Sequence, residues 1–464
     1  MDNPSKSPHT AETLLTDIDD GLEAHETPLF RDRAFWGITA TQFLGAFNDN
    51  VFKQLMLLLA IPVGAAAAQQ ADEQGLATMI FSLPFVLFSG LAGYLSDRYS
   101  KRRVIVLCKL AEIGIMLLGM LGFLAFGVTG YRGLLVVLFL MGTHSAFFGP
   151  GKYGILPELF READLPRANG VILMTTFLAI IFGTASAGLL GDLLTDAAGQ
   201  RHPERLWIGS LFCIGVAVLG TCTSLLIRPI PPAVPQLRFQ ASGLAIPPET
   251  RKLLLADRPL LAALLVSCMF WLVSGVAMQS VNSLGMTQLG VGERRTSLLT
   301  AVIGLGIAAG AVIAGRLSRG KVDFRLVTWG GWGMIAGMLL LAVSLPAAGG
   351  GYTHLLGYGG SFPVLILLGM SAGTFAIPVQ VFIQTRPPED QKGRMIAVMN
   401  LTNFIAILLS GAIYMGFDRL IEASAWPRSV LFAFNALLIL PVALFYRGPG
   451  IGDRESGVGN RGSV

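Results

Sequence analysis

Charged residues are scarce in this chain. Only 14% of its 464 residues are Asp, Glu, Lys or Arg, whereas soluble domains carry about 25%. Hydrophobic residues make up 53% of the chain, and its mean hydropathy is +0.63. The composition excludes an ordinary soluble protein and indicates a chain that lies largely in lipid.

Reactive and ligating groups are also few. The four cysteines all lie in apolar stretches, without paired metal-ligand spacing, so they predict small buried side chains and no disulfide framework. The Gly-rich loop that cradles the phosphates of ATP is missing. His144 and Ser145 have no third residue beside them to complete a nucleophile and base set, so they are expected to line a core or cavity. We therefore expect no enzyme activity and no cofactor or metal. The cysteines are Cys108, Cys213, Cys222 and Cys268.

The first 33 residues lack the basic start and short apolar core of a signal peptide. They are polar and mostly acidic, and the segment 447–464 is Gly-rich and short. We interpret 1–33 and 447–464 as two cytoplasmic tails, both mobile.

Apolar windows long enough to cross a bilayer recur along the rest of the chain. They form two sets of six, which predicts an all-α membrane protein with an N-terminal half at 34–227 and a C-terminal half at 259–446. The connection 228–258 is Pro-rich, and its segment Glu249 to Ala256 is a candidate surface helix. The windows lie at 34–61, 74–95, 104–128, 133–156, 168–190, 206–227, 259–283, 296–317, 326–346, 361–384, 394–416 and 427–446.

The distribution of basic residues predicts the orientation. With the N-terminus in the cytoplasm, 24 of the 34 Lys and Arg residues fall on the cytoplasmic side and 7 on the outer side. We therefore interpret the chain as a multi-pass protein of the inner membrane with both termini in the cytoplasm. The net charge of +5 is interpreted as a belt that faces anionic lipid headgroups, and it implies no nucleic-acid partner.

Polar residues interrupt the first apolar window. Asn48, Asp49 and Asn50 lie in its middle, where a carboxylate costs roughly 2.5–3.5 kcal/mol on insertion scales. Lys53 follows Asp49 by four residues and shares its helical face, so each is expected to offset the desolvation of the other. The pattern predicts a polar path, with these residues binding substrate or carrying a proton.

The fourth window holds a second candidate site. Gly149, Pro150 and Gly151 are expected to interrupt the helix, and Lys152 follows directly. Lys152 either presents its ammonium group to a phosphate or extends to the membrane interface, and the sequence does not decide between these alternatives. Glu158 marks the cytoplasmic end of this window.

The second half offers a polar counterpart. When Gly275 is matched to Gly45, Gln279 takes the place of Asp49. Polar residues at one depth in both halves fit a binding site at the repeat interface. In the third window, Lys109 and Glu112 are three residues apart and are predicted to form a structural ion pair.

A loop motif lies between the second and third windows. It runs from Gly93, where a helix is expected to end in close packing, through Asp97, Arg98 and Arg102 to Arg103. The second half carries a degenerate form, Gly315-Arg-Leu-Ser-Arg-Gly-Lys321. This pattern resembles the loop signature of the major facilitator superfamily of transporters. The resemblance implies the major facilitator fold, twelve transmembrane helices in two six-helix halves. It assigns to Asp97 the role of a latch that holds the two halves together on the inner side. We predict gating roles also for Gly93, Arg98, Arg102, Glu158 and Arg394.

Two segments carry a narrower resemblance. The stretch 42–50 around Asp49 and the stretch 145–158 around Lys152 resemble the bacterial lysophospholipid transporter family. The resemblance implies a flippase that returns lysophospholipid to the cytoplasmic leaflet of the inner membrane, where an acyltransferase remakes diacyl lipid. Some members of that family are fused to the acyltransferase, and here no such domain follows the twelfth window. The architecture normally works as a monomer.

Two alternatives remain open at this point. A proton-driven exporter of amphipathic drugs, with Asp49 as proton carrier, shares the fold and the loop motif, and fold alone does not separate the two. A membrane enzyme or receptor is disfavoured because no reaction centre is visible.

The acyl chain of a lysophospholipid needs an apolar route. We expect it to pass between helices five and eight or between two and eleven. Small residues there are expected to leave room for the chain, namely Gly183, Ala187, Gly306 and Gly310.

Overall fold

The computed structural model describes residues 28–63, 71–196, 200–237, 248–318, 322–347, 350–388, 391–446 and 448. Twelve long helices dominate this part of the chain, and each coincides with one predicted window. The helices are α1 Arg33–Leu59, α2 Gln74–Arg98, α3 Lys101–Leu124, α4 Phe126–Gly154, α5 Leu165–Gly191, α6 Trp207–Ser224, α7 Arg258–Ser283, α8 Gly292–Ser318, α9 Arg325–Ala342, α10 Gly357–Thr385, α11 Lys392–Ser424 and α12 Val430–Phe445.

Ten helices of the described chain, α2 to α11, are long and apolar enough to cross a membrane. The remaining two are α1, which has 27 residues but carries the polar Asn48-Asp49-Asn50 stretch, and α12, which is apolar but has 16 residues. The chain is therefore a multi-pass membrane protein built from helices.

We name the two ends of the helix bundle for the description that follows. The near face is the end where α1 and α7 begin, and the far face is the end where α1 stops and α2 begins. The expected orientation makes the near face cytoplasmic.

Equivalent aspartates start the first helix of each half. Asp32 accepts a hydrogen bond from the backbone N of Ala34 at 2.7 Å, and Asp257 accepts one from Leu260 at 3.1 Å. These caps accept hydrogen bonds from backbone N–H groups that have no carbonyl acceptor in a preceding turn of the helix. Each aspartate also pairs with an arginine, Asp32 with Arg228 and Asp257 with Arg386. The two halves thus share a capping aspartate that pairs with an arginine, in addition to the same number of long helices.

Short elements complete the chain. A β-hairpin that the sequence did not predict joins α9 to α10, with strands β1 Ser344–Pro346 and β2 Tyr352–His354. The ninth apolar window extends to residue 346, but α9 ends at Ala342 and the chain becomes extended there. A π-helix, Leu284–Gln288, extends α7, and 3₁₀ turns lie at Leu29–Arg31, Glu162–Asp164 and Pro203–Leu206. The expected surface helix is present as Pro248–Ala256.

The expected interruption of α4 at Gly149-Pro150-Gly151 is wrong. The helix continues through these residues to Gly154, and a short helix, Leu156–Leu159, follows. One proline removes one hydrogen-bond donor, which a long membrane helix tolerates. The break instead lies near the start of α4, where Gly130 has φ 59°.

Buried apolar side chains form separate clusters in the two halves. One large cluster extends from Leu254 to Ala443, and another from Val51 to Cys213. A small cluster of Leu58, Ile61 and Met286 joins the halves at the far face. Of the cysteines, Cys108 and Cys213 are buried as expected, whereas Cys222 is exposed and Cys268 is half-buried.

The glycines expected to line lateral openings do not do so. A Cβ on Gly183 would meet the backbone of Phe47 in α1, and one on Gly306 or Gly310 would meet the backbone of α10. These three glycines therefore allow close packing within a half, and Ala187 is fully buried in the N-terminal cluster. Glycines at the contacts between halves include Gly75 with Gly411, where α2 meets α11, and Gly188 with Ser297, where α5 meets α8.

Candidate functional site

Asp49 is the centre of a polar cluster inside the N-terminal half. Ser145 of α4 donates a hydrogen bond to its Oδ2 at 2.6 Å, and His144 Nε2 lies 3.5 Å from its Oδ1. The Asp49 side chain remains 17% exposed. His144 and Ser145 were expected only to line a core or cavity, because a sequence does not show that α4 crosses α1 at this depth.

A buried ion pair supports the cluster from α3. Lys109 Nζ lies 2.6 Å from Glu112 Oε2, and these side chains are 2% and 0% exposed. Glu112 Oε1 accepts a hydrogen bond from Asn48 at 2.6 Å. Lys109 lies directly against Gly45, where a Cβ would collide with its ammonium group. The predicted ion pair is therefore present, and it holds the helix that carries Asp49.

Lys152 points into the protein. It is 9% exposed, and its Nζ lies 3.3 Å from Thr176 Oγ1 and 4.9 Å from the centre of the Tyr153 ring. Thr176 in turn donates to Gln42 of α1 at 2.9 Å. Of the two alternatives for Lys152, the structure favours an ammonium group held in the interior, close enough to Asp49 to be attracted by its charge.

Two other residues of the α1 motif have different surroundings. Lys53 does not form a direct salt bridge with Asp49 among the described residues, but lies 5.4 Å from the Phe81 ring centre, within the field of the Asp49 charge. Asn50 donates to Ala46 in its own helix at 2.7 Å. Lys53 is thus held by the field of Asp49 and an aromatic ring rather than by a contact pair.

Gln279 belongs to a different place. Its amide nitrogen donates to Gly275 in its own helix, and its backbone oxygen accepts from Gln74 of α2. None of its hydrogen bonds in the described chain is with Asp49. The repeat alignment predicted a shared depth, but Gln279 lies in the network that closes the far face.

That network joins the two halves. Asn282 of α7 accepts from Gln54 of α1 at 2.9 Å and donates to Gln74 of α2 at 3.0 Å. On the other side, Arg201 lies 3.3 Å from Glu293 of α8 and also donates to the carbonyl of Ile61 at 2.6 Å. The far face is therefore closed by polar contacts between halves.

The residues that we expect to act in gating lie at the near face, and their side-chain ion pairs and hydrogen bonds in the described chain stay within one half or its linker. Lys101 pairs with Glu158, Arg394 with Glu249 of the linker helix, and Arg98 with the Tyr94 hydroxyl. In the described chain no near-face salt bridge joins the halves. This conformation is closed at the far face and lacks the corresponding lock at the near face.

The loop motif differs in detail from its expected form. Helix α2 continues past Gly93 to Arg98, and a Cβ on Gly93 would meet no atom within 4 Å, so close packing does not explain this glycine here. Asp97 is exposed, and its backbone oxygen accepts from Val234 of the linker at 2.9 Å. Arg102 donates to the carbonyl of Leu225 at 3.2 Å. Arg319 and Lys321 of the second motif lie outside the described residues.

Comparison with known proteins decides the family. The model of the Major Facilitator Superfamily matches residues 35–411. The chain belongs to the major facilitator superfamily. Solved members share the architecture: a nucleoside transporter NupG superposes with a TM-score of 0.62 at 13% identity, covering 88% of this chain and 97% of that chain. A POT family transporter superposes with a TM-score of 0.67 at 15% identity, covering 89% and 95%.

Relatives with a named function resemble the chain along most of its length. The lysophospholipid transporter LplT of Klebsiella pneumoniae is 26% identical over 440 residues, which cover 91% of this chain and 97% of that protein. LplT of Enterobacter sp. is 28% identical over 395 residues, covering 84% and 90%. LplT of Escherichia coli O7:K1 is 27% identical over 401 residues, covering 81% and 87%.

No group of three or more His, Cys, Asp and Glu residues in the described chain could hold a metal ion. What the cluster around Asp49 offers instead is one carboxylate with two ammonium groups, Lys53 and Lys152, within its field. Such a set suits a ligand that carries charges of both signs.

Proposed function

We propose that this superfamily member is a lysophospholipid transporter that moves its substrate across the cytoplasmic membrane to the cytoplasmic leaflet by alternating access. The observation that carries the proposal is the similarity to LplT proteins over 81% to 91% of the chain. The near face is then cytoplasmic, both termini are cytoplasmic and the chain acts as a monomer. A separate acyltransferase would consume the delivered lysolipid.

The cluster around Asp49 supports this assignment chemically. A lysophospholipid has one acyl chain and a charged headgroup, which needs polar partners inside the membrane. Lys152 is held in the interior, where its ammonium group can donate hydrogen bonds to the phosphate. Asp49 can pair with a cationic headgroup or accept a hydrogen bond from a hydroxyl. The chain would trail along an apolar flank between α5 and α8 or between α2 and α11.

Uptake of labelled lysophospholipid tests the proposal. Spheroplasts that contain the protein should accumulate the label in the inner leaflet faster than spheroplasts without it. Equal rates would overturn the proposed substrate, although not the superfamily membership. An acyltransferase gene beside this one would add independent support.

One observation favours a second candidate. His144 Nε2 lies 3.5 Å from Asp49 Oδ1, and paired Asp and His side chains inside membrane helices are the groups from which proton relays are built. A proton-driven exporter of amphipathic drugs would use it. Export of a cationic dye that collapses when the proton gradient is dissipated, without lysophospholipid uptake, would support this candidate.

Alternating access predicts that locking the far face stops transport. Gly188→Cys with Ser297→Cys places two thiols where α5 touches α8. Oxidation should stop lysolipid uptake, and a reducing agent should restore it, because the far face can no longer open. The measurement is uptake before and after reduction.

Each single cysteine variant serves as the control, and its lysolipid uptake should not change when the oxidant is added. Unchanged transport with the cross-link fully formed would contradict alternating access at this contact.

Asp97 is proposed to act on the gate. Asp97→Asn should lower the maximal transport rate several-fold while the concentration for half-maximal uptake stays near its original value, because the residue lies on the near-face loop, away from Asp49. Initial uptake rates over a range of lysophospholipid concentrations measure both. A large change in half-saturation at a normal maximal rate would place Asp97 in the binding site instead.

A further inference from the structure

Among the described residues, the buried carboxyl group of Asp72 has no cationic side chain bonded to it. It lies in the connection between α1 and α2, and it is 4% exposed. Its Oδ1 accepts from the backbone N of Gln74 at 2.9 Å, and its Oδ2 accepts from Gln74 Nε2 at 2.9 Å and from the Tyr414 hydroxyl at 2.7 Å. All of these partners are neutral, so an ionised Asp72 has no direct counter-charge in the part of the chain that the structure describes.

The charged groups around it do not change this conclusion. Arg428, between α11 and α12, attracts Asp72, but its guanidinium is already bonded to Asp418 and Glu422. Tyr131 of α4 interacts electrostatically with Asp72 and Glu73, but its hydroxyl donates to the carbonyl of Met56 at 3.1 Å. Burial raises the pKa of Asp72, and the hydrogen bonds from Gln74 and Tyr414 with the attraction of Arg428 offset this only in part.

The neighbouring side chains can also accept a hydrogen bond from a protonated Asp72. If Asp72 is protonated, its hydroxyl can donate to the Tyr414 oxygen, and Tyr414 can then donate to Ser283 beside it. Ser283 is fully buried, and its hydroxyl oxygen has no other hydrogen-bond partner. A protonated Asp72 is therefore accommodated without a stranded donor.

Asp72 lies where the halves meet. It belongs to the N-terminal half, whereas Tyr414 and Ser283 belong to the C-terminal half. Opening of the far face must separate these partners and bring water to the carboxyl group. The environment of Asp72 thus differs strongly between the closed and open states.

We propose that Asp72 is a proton-binding site that couples protonation to closure of the far face. The carboxyl group holds a proton while the far face is closed and releases it to water when the halves separate there. The site depends only on this opening and not on the cargo, so it stands apart from the proposed substrate and from Asp49.

The sign of the pH dependence follows from the two environments. In the open state Asp72 meets water, so its pKa returns towards the ordinary value of about 3.9. The closed state binds the proton more tightly, so its extra stability is complete below the open-state pKa. That stability is lost as pH rises through the higher closed-state pKa. Raising the pH should therefore favour the open far face.

Distance measurement between two spin labels tests the site. Labels at Val128 and Leu355, exposed at the far face of the N-terminal and C-terminal halves, report its opening. The background is the full chain with its four cysteines replaced by serine, used after it has been shown to unfold at the same temperature as the parent chain. In nanodiscs, the fraction with the longer distance should grow several-fold as pH is raised from acidic to alkaline values.

Asp72→Asn mimics the protonated group and should stay closed at every pH, whereas the neighbouring Glu73→Gln should respond like the parent. If the distribution of label distances in the parent chain does not change with pH, the proposal is overturned. This outcome can be measured without any Asp72 variant. An Asp72→Asn chain that keeps the full pH response would also overturn the proposal. Neither result bears on lysolipid uptake, so failure here is distinct from failure of the proposed function.

Discussion

Asp49→Asn is expected to insert normally and to lose most transport. The substitution removes the charge at the centre of the polar cluster but keeps the shape that Ser145 contacts. A hydrogen bond to a charged group contributes roughly 1.5–3 kcal/mol, and about 1.4 kcal/mol corresponds to a tenfold change. Uptake of labelled lysophospholipid should therefore fall by about tenfold or more, at equal amounts of protein in the membrane.

Asn50→Ala is the matched control. Asn50 is the next residue along the chain, but its amide donates to Ala46 in the same helix and not to the cluster. Its loss should cost far less transport than the loss of the Asp49 charge. Full activity of Asp49→Asn would remove Asp49 from the transport mechanism, and equal losses in both variants would point to damage to α1 instead.

Lys109→Met is expected to produce the largest loss of stability. It leaves Glu112 as an unpaired charge that is 0% exposed. Breaking a buried ion pair in this way costs about 3–5 kcal/mol. The thermal unfolding temperature of the purified protein in detergent should drop sharply, and less of the variant should reach the membrane.

The double variant Lys109→Met with Glu112→Gln separates charge from packing. Removing both charges leaves no uncompensated ion, and the Gln carbonyl oxygen can still accept the hydrogen bond from Asn48. Most of the stability should return. If the double variant unfolds as early as Lys109→Met, the loss came from packing around Gly45 and not from the buried charge.

The sequence determined the positions of the helices because membrane insertion imposes a simple rule. A span must be long and apolar, so length and composition locate ten of the twelve helices, and the predicted windows coincide with all twelve. Asp49 was also visible in sequence, because a carboxylate in such a span is costly. The pairing of Lys109 with Glu112 followed from their spacing on one helical face.

Tertiary structure alone decided which helices meet and at what depth. Contacts such as Ser145 with Asp49 or Gln74 with Asn282 join residues 96 and 208 positions apart, and no local periodicity encodes them. The same limit explains the wrong expectations. Gly306 and Gly310 face α10 rather than a lateral opening, and Gln279 lies at the far face rather than beside Asp49. A small or polar residue in a membrane helix predicts a close contact, but only the packing of the helix bundle determines which residue it contacts.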